Sequence, residues 1–229
     1  MKFSGMTTLT LLDYPGHTAI TLFTYGCNFC CPFCHNASLV TKQNNQAITS
    51  DEVINFLNKR KNVIEGVCIT GGEPTLHKDL RSFIELIKSM GFLVKLDTNG
   101  SNPALLEELL KANLLDYVAM DIKNCPDKYE ATCGKTINFD DVKKSIDLIR
   151  RLAPNYEFRT TVVKQLHSQK EIDEIGKFMR NESNFYLQNF EDSGDLIQNG
   201  YSCVSPEVMK SYIKTLKEYG INAKIRGLD

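Results

Sequence analysis

The chain has no excess of basic side chains. Its 229 residues include 27 Lys and Arg against 28 Asp and Glu, which gives a formal net charge of −1 at pH 7. A protein that binds nucleic acid gains most of its affinity by neutralising phosphates with a basic surface. The composition therefore argues against a nucleic-acid partner.

Long apolar runs are missing as well. No stretch approaches the roughly 18 uninterrupted apolar residues that a membrane-spanning helix needs. The N-terminal "MKFSGMTTLTLLDYPGH" has polar residues and a proline where a signal peptide needs a continuous apolar core. We therefore expect a cytoplasmic protein with no membrane partner. In a reducing cytosol, clustered thiols among the eight cysteines indicate metal or redox chemistry rather than disulfides.

Internal repeats, low-complexity segments and linkers rich in Pro, Gly or Ser are absent from the sequence, so we expect one domain over residues 1–229. Apolar strands alternate with amphipathic helices along it. The strands are predicted at 18–24, 67–70, 92–100, 115–123, 156–163 and 184–190. The helices are predicted at 49–60, 79–90, 103–112, 140–152, near 169–180 and from Pro206 onward. This alternation predicts an α/β fold in which parallel strands, joined by helical crossovers, form a barrel or partial barrel.

Residues 24–36, "TYGCNFCCPFCHN", place four cysteines within eight positions. Two C-x-x-C pairs, Cys27 with Cys30 and Cys31 with Cys34, would suit a four-thiolate zinc site if a segment between them let the tetrahedron close, but here the pairs abut. The alternative takes Cys27, Cys31 and Cys34 as C-x-x-x-C-x-x-C. Three thiolates can bind three irons of a four-iron cluster, and the fourth iron then stays open as a binding site.

The second spacing, with the aromatic Phe33 before its last cysteine and a strand before the loop, resembles the signature of the radical S-adenosylmethionine superfamily. The resemblance implies a partial (β/α)6 TIM-like barrel, a [4Fe-4S] cluster on those three thiols, and S-adenosylmethionine chelated to the open iron by its amino and carboxylate groups. His35 and Asn36 follow the last cysteine directly, and we expect them to support the loop or to touch the cofactor.

The motif "GGEP", residues 71–74, ends the next predicted strand. By the same resemblance, it lines the methionine end of the cofactor with Gly71, Gly72, Glu73 and Pro74. Glycines allow close approach of the backbone to a ligand, and a carboxylate can order the amino group. Taken alone, the motif is only a turn before a helix.

Two further strand ends carry aspartates, in "DTNG" (97–100) and "AMDIK" (119–123). Resemblance to the glycyl-radical activating enzymes implies a monovalent cation beside the cofactor, held by Asp97, Thr98, Asp121 and the carbonyl of Ala119. It also implies that Lys123 pairs with the cofactor's carboxylate. The alternative is that strand-end aspartates are solvated or cap the next helix, and that Lys123 is a surface residue.

The segments "LLDYPGHTAITLFTYGCNFCCPFCHN" (11–36) and "AKIRG" (223–227) look like the activating proteins of anaerobic ribonucleoside-triphosphate reductase. The resemblance implies reductive cleavage of S-adenosylmethionine to a 5′-deoxyadenosyl radical, which makes a glycyl radical on that reductase. A flavodoxin- or ferredoxin-like donor would supply the electron. Two residues depart from the relatives: Cys30, where an arginine is usual, and Phe190, where pyruvate formate-lyase activating enzymes carry a histidine.

Three other interpretations stay open. The chain could activate another glycyl-radical enzyme of the pyruvate formate-lyase type, act on a small molecule as a deazapurine synthase does, or be a noncatalytic thiolate-metal module. The remaining four cysteines are expected to have no ligand role: Cys68, Cys125, Cys133 and Cys203.

Overall fold

The structure is a computed structural model, and it describes residues 1–41 and 47–227. The strands are β1 (Lys2–Phe3), β2 (Gly5–Thr10), β3 (Ala19–Thr24), β4 (Ile48–Thr49), β5 (Gly66–Gly71), β6 (Leu93–Thr98), β7 (Tyr117–Asp121), β8 (Tyr156–Val162), β9 (Phe185–Asn189) and β10 (Ala223–Arg226). The α-helices are α1 (Ala37–Thr41), α2 (Ser50–Asn58), α3 (Leu80–Ser89), α4 (Pro103–Lys111), α5 (Tyr129–Cys133), α6 (Phe139–Leu152), α7 (Gln169–Phe178) and α8 (Pro206–Glu218). Short 3₁₀ helices lie at Pro74–Leu76 and Pro126–Lys128.

The described residues fall into two compact units, each built from three segments of the chain. Unit 1 comprises Met1–Asn28, Ser38–Ala119 and Asp140–Tyr156, and unit 2 comprises Phe29–Ala37, Met120–Phe139 and Glu157–Asp229. Strand β7 begins in unit 1 and ends in unit 2. A single domain over 1–229 stays a prediction.

Unit 1 contains strands in the order β2-β3-β5-β6. Strands β3, β5 and β6 are parallel, and β2 runs antiparallel to β3. Both faces of β3 and β5 are covered, because side chains that alternate between the faces are all buried: Ile20, Thr21 and Leu22 on β3, and Val67, Cys68 and Ile69 on β5. Such nearly continuous apolar strands are typical of parallel sheets with helical crossovers.

Unit 2 contains the strand order β8-β9-β10, and both pairings are parallel. Among the residues that the structure describes, β2 and β10 stand at the two ends of the strand order, and each pairs with a single neighbouring strand. The α/β class and the parallel strands predicted from the sequence are therefore confirmed, and the described strands do not close into a barrel.

Helix boundaries follow the local sequence signals. Thr49 and Glu52 form a capping box at the start of α2, and Ser168 and Glu171 form a second one at α7. Gly91, with φ of +90°, follows α3 in the left-handed region that glycine adopts without strain. The predicted site residues lie elsewhere, at the ends of β3, β5, β6 and β7 and in the loops that follow those strands.

Candidate active site

The cysteine loop begins where β3 ends. Its first residues form hydrogen bonds with the loop that follows β5. The amide of Gly72 donates to the carbonyl of Thr24 (3.0 Å), and the amide of Glu73 donates to the carbonyl of Gly26 (2.8 Å). A Cβ on Gly72 would lie 1.8 Å from the oxygen of Gly26, and one on Gly71, whose φ is +112°, would lie 2.3 Å from the nitrogen of Thr24. The glycines of "GGEP" are therefore needed for loop-to-loop packing, a reason the sequence did not reveal.

Glu73 joins the loops after β5 and β6. Its side chain is buried (1% exposed). One carboxylate oxygen accepts from the hydroxyl of Thr98 (2.8 Å) and from the amide (3.1 Å) and hydroxyl (2.5 Å) of Thr75, and the other accepts from the amide of Asn99 (2.7 Å). Burial raises the pKa of Glu73, and these hydrogen bonds oppose the rise. Pro74, also buried, starts the 3₁₀ helix beside it. Glu73 is thus placed to fix two loops.

Asn99, which the sequence analysis did not single out, lies beside the predicted ligand Cys27. Its Nδ2 lies 3.8 Å from the Sγ of Cys27 and donates to the Oδ1 of Asn28 (2.9 Å). The Nδ2 of Asn28 in turn donates to the hydroxyl of Ser101 (2.8 Å). Amide donors near a thiolate ligand tune the charge that a metal centre can carry. The sequence signal that could have identified Asn99 was its position in the strand-end motif "DTNG".

Asp97 is paired with a lysine that the sequence analysis did not single out. The ammonium of Lys95 forms an ion pair with the carboxylate of Asp97 and lies 3.8 Å from the Sγ of Cys68. Cys68 is fully buried, as expected for a core residue. The sequence signal for a buried charge was the single lysine within the apolar run "FLVKL", residues 92–96.

In unit 2, Cys31 and Cys34 lie in one turn, with the amide of Cys34 donating to the carbonyl of Cys31 (3.0 Å). A hydrogen bond with the thiol of Cys133 is the main cause that lowers the pKa of Cys31 to about 7. Lys123 adds to that effect and burial opposes it. Burial raises the pKa of Cys34. The surroundings of Cys31 therefore favour its thiolate form, which is the form that binds metal.

Cys30 is held through its backbone. Its amide donates to the carbonyl of Cys133 (2.8 Å), and a Cβ on Gly134 would lie 2.2 Å from the oxygen of Cys30. Cys133 was expected to have no ligand role. It keeps none as a predicted ligand, but it supports both Cys30 and Cys31.

The residues around Cys34 form an aromatic wall in unit 2. Phe33 is buried (3% exposed) with its ring centroid 6.3 Å from that of Tyr201. His35 stacks on Phe190 at 5.3 Å, and its carbonyl accepts from the hydroxyl of Ser193 (3.2 Å). Burial lowers the pKa of His35, and the charge of Lys123 adds to that effect. The backbone of Asn36 forms a hydrogen bond with the thiol of Cys34.

Asp121 and Lys123 belong to a charged network in unit 2. Asp121 accepts from Lys123 (2.9 Å) and from the guanidinium of Arg159 (3.0 Å). Burial alone would raise the pKa of Asp121, but these two cations hold it well below its usual range. Glu157 is buried and forms an ion pair with Arg159 (3.8 Å). It also accepts hydrogen bonds from both terminal nitrogens of Arg226, each at 2.7 Å. Asp121 is thus ionised and paired rather than solvated.

A cavity of about 510 Å³ opens in unit 2 at the ends of β8, β9 and β10. Its lining includes Thr161, Gln188, Arg226 and His35. Its size and mixed polar lining suit a small ligand or a short peptide segment.

Among residues 1–41 and 47–227, no three His, Cys, Asp or Glu side chains are grouped to hold a single metal ion. In a four-iron cluster each thiolate binds its own iron, so a cluster does not require such a group. Within the same described ranges, no helix is long and apolar enough to cross a bilayer.

Comparison with known proteins identifies the class. The profile of the radical SAM superfamily matches residues 21–179. A radical SAM methyltransferase from Sphaerobacter thermophilus superposes with a TM-score of 0.73 over 95% of this chain and 68% of its own, at 15% identity, which shows a shared fold. The protein is therefore a radical SAM enzyme, with a [4Fe-4S] cluster and S-adenosylmethionine as cofactors. The noncatalytic interpretation of the cysteines is set aside.

Two relatives show to which family within the superfamily the chain belongs. A Methanocaldococcus jannaschii protein named as a glycyl-radical enzyme activating enzyme is 36% identical over 195 residues, which is 82% of this chain and 79% of that protein. The pyruvate formate-lyase-activating enzyme of Clostridium pasteurianum is 30% identical over 155 residues, covering 65% of this chain and 64% of that enzyme. Within the radical SAM superfamily, the chain belongs to the glycyl-radical enzyme activating enzymes.

Proposed function

We propose that this enzyme generates a glycyl radical on an anaerobic ribonucleoside-triphosphate reductase. The observation that carries the choice of partner is Phe190, whose buried ring (3% exposed) stacks on His35. Activating enzymes of the pyruvate formate-lyase type carry a histidine at this place, so an apolar ring favours the reductase type. The resemblance of residues 11–36 and 223–227 to the reductase activating proteins supports the same partner.

Cys27, Cys31 and Cys34 hold the cluster in this proposal, and its fourth iron has no protein ligand. Their spacing supports this assignment, as does the pKa of Cys31 at about 7, since thiolates rather than thiols bind iron. Cys30 is not a ligand. The structure gives its backbone a role in holding the loop against Cys133.

The neighbouring residues of unit 1 place and tune the site. The amide of Asn99 near Cys27 favours the more negative, reduced cluster, because N–H donors to sulfur stabilise added charge. Glu73 is a positioning residue, and with buried Pro74 it fixes the backbone of Gly71 and Gly72 that lines the methionine end of the cofactor. The hydroxyl of Thr98 acts through Glu73.

Residues of unit 2 also have roles toward the cofactor in this proposal. Phe33, His35 and the backbone of Asn36 border it beside the last cysteine. Lys123 pairs with Asp121, but an ammonium has three donors, so it can also bind the carboxylate of S-adenosylmethionine. The cavity at the ends of β8, β9 and β10 admits the glycine segment of the partner protein.

When bound, the cluster would supply one electron for the cleavage of S-adenosylmethionine to methionine and a 5′-deoxyadenosyl radical, and that radical would take a hydrogen from the Cα of the partner's glycine. The chain's own residues align the reacting groups and exclude water. We infer that a flavodoxin- or ferredoxin-like protein supplies the electron, and that the enzyme works in the cytoplasm.

The test is anaerobic incubation of the iron-reconstituted enzyme with S-adenosylmethionine and dithionite, together with either the reductase or a pyruvate formate-lyase, followed by EPR spectroscopy. We expect the glycyl-radical doublet on the reductase only. A doublet on the lyase alone would overturn the choice of partner. Multiple turnovers of deoxyadenosine formation with a small-molecule substrate and no protein partner would favour the deazapurine synthase type instead.

A further inference from the structure

The ammonium group of Lys95 is buried inside unit 1, with 2% of its side chain exposed. It forms an ion pair with Asp97, and Nζ lies 3.8 Å from the Sγ of Cys68 and 5.8 Å from the ring centroid of Tyr117. Removing an ammonium from water costs several kcal/mol, which only a close anionic partner offsets. Lys95 and Asp97 therefore depend on each other as a charged pair.

The sheet register explains why these groups meet. Cys68 on β5 lies opposite Lys95 on β6. Lys95 and Asp97 are two residues apart on the same strand, so their side chains point to the same face. The ammonium of Lys95 thus lies at the end of β6, next to the carboxylate of Asp97.

This arrangement disagrees with the cation site that family resemblance implied. That site was expected to use oxygen ligands from Asp97, Thr98, Asp121 and Ala119. In unit 1, Asp97 already has Lys95, and the hydroxyl of Thr98 donates to Glu73 (2.8 Å). In unit 2, Asp121 already has Lys123 and Arg159. Protein cations neutralise both carboxylates, so these residues do not fit a monovalent cation site.

We propose that Lys95 is a positioning residue that takes the place of a monovalent cation beside Asp97, so that cofactor binding by this enzyme needs neither K⁺ nor Na⁺. The proposal rests on the use of S-adenosylmethionine and on Asp97 lying beside it, and not on which partner is activated. A failed radical transfer to the reductase would leave it intact.

Replacing the lysine creates the cation requirement that the native chain lacks. Lys95→Met keeps an unbranched side chain out to the ε position and removes the ammonium group, which takes the buried positive charge away from the carboxylate of Asp97. A solvent cation can then bind there, because an uncompensated carboxylate in a partly dehydrated site attracts a small ion strongly.

The test measures S-adenosylmethionine affinity by calorimetry on the cluster-loaded protein in KCl, NaCl or choline chloride at equal ionic strength. We expect the native protein to show the same affinity, within about twofold, in all three salts. Lys95→Met should bind about tenfold more weakly in choline chloride and recover in KCl or NaCl. A native affinity that falls about tenfold in choline chloride would overturn the proposal.

The matched control is Lys88→Met, which removes another lysine–aspartate pair of unit 1. Lys88 contacts Asp116 at 2.7 Å, and the two side chains are 25% and 27% exposed. Because water already solvates this pair, its loss should give no salt-specific effect on cofactor affinity. An equal K⁺ effect in this variant would show a general salt response and contradict a specific role for Lys95.

A second readout needs no cluster. The melting temperature of cluster-free Lys95→Met should rise in KCl over choline chloride, whereas that of the native protein should not. If the single variant does not fold, Lys95→Met combined with Asp97→Asn removes both charges, and its melting temperature should be insensitive to the cation. A K⁺ effect on the double variant, or none on a folded single variant, would overturn the proposal.

Discussion

Cys31 and Cys34 are three positions apart in one loop, yet the pKa values of their thiols are shifted in opposite directions. The thiol of Cys133 and the charge of Lys123 lower the pKa of Cys31 to about 7, while burial raises that of Cys34. A sequence pattern assigns both the same role. The difference comes from residues about 90 to 100 positions away along the chain, which spacing alone cannot reveal.

The ligand assignment predicts the effect of single serine substitutions on bound iron. Cys27→Ser, Cys31→Ser and Cys34→Ser should each lose most of the iron and the brown colour after anaerobic reconstitution, because a four-iron cluster held by two thiolates is labile. Iron and sulfide analysis measures this directly.

Cys30→Ser is the matched control from the same loop, and it should retain native iron content, because the structural role of Cys30 lies in its backbone. Iron loss in Cys30→Ser, with retention in any one of the other three variants, would contradict the assignment.

At the scale of the element, the sequence predicted most strands and helices because their signals are local. Capping boxes, a proline at the start of α4 and apolar runs all lie within the segments that they define. Strand β2, "GMTTLT", was missed because its exposed threonines give no apolar pattern. Strand β10 was missed because Lys224 and Arg226 interrupt it. Both stand at the ends of the strand order, where the described part of the chain provides a strand partner on one side.

The packing of the loop after β5 against the cysteine loop predicts a large effect of Gly72→Ala. The new methyl group would lie 1.8 Å from the backbone oxygen of Gly26, so one of the two loops must move. We expect the free energy of unfolding to fall by about 3 kcal/mol and cofactor affinity to drop with it. Urea denaturation and calorimetry measure the two effects.

Gly5→Ala is the control for that substitution, because its new methyl group would meet Phe23 at an ordinary 3.9 Å. It should change the unfolding free energy by less than about 1 kcal/mol. Equal stability of the Gly72→Ala and Gly5→Ala proteins would show that the loop contact is not needed.

At the scale of the whole molecule, the sequence located the cysteines and the strand-end motifs but not the charges that surround them. Asp97 and Asp121 were expected to bind a cation, and each has a protein cation instead. Lys95 lies two residues before Asp97, but Arg159 reaches Asp121 from a different strand. Whether such a charge is buried and paired depends on strand order, which local patterns do not contain.

The charged network of unit 2 predicts how global stability depends on pH. Because Lys123 and Arg159 hold the pKa of Asp121 below its unfolded value of 3.8, ionised Asp121 stabilises the folded state above that pH. This stabilisation is lost as pH falls from 3.8 through the folded pKa. Asp121→Asn should therefore lower the unfolding free energy by about 2 kcal/mol at neutral pH, since the pair is only partly exposed.

Urea denaturation of the native and Asp121→Asn proteins between neutral pH and pH of about 3 checks this behaviour, and the difference should narrow at the acid end. Asp127→Asn replaces an exposed carboxylate of the same unit and should show a small difference at every pH. If the difference in unfolding free energy between the native and Asp121→Asn proteins stays constant down to the acid end, the ionised pair is contradicted.

The most direct test of the central claim examines the iron that three thiolates leave open. The reduced protein is mixed with S-adenosylmethionine labelled with ¹⁷O in the carboxylate or ¹⁵N in the amino group, and electron–nuclear double resonance is recorded on the cluster signal. We expect hyperfine coupling to both labels, and the same coupling in Cys30→Ser. Stoichiometric binding of the cofactor with coupling to neither label would mean that a fourth side chain occupies this iron, and would contradict the account.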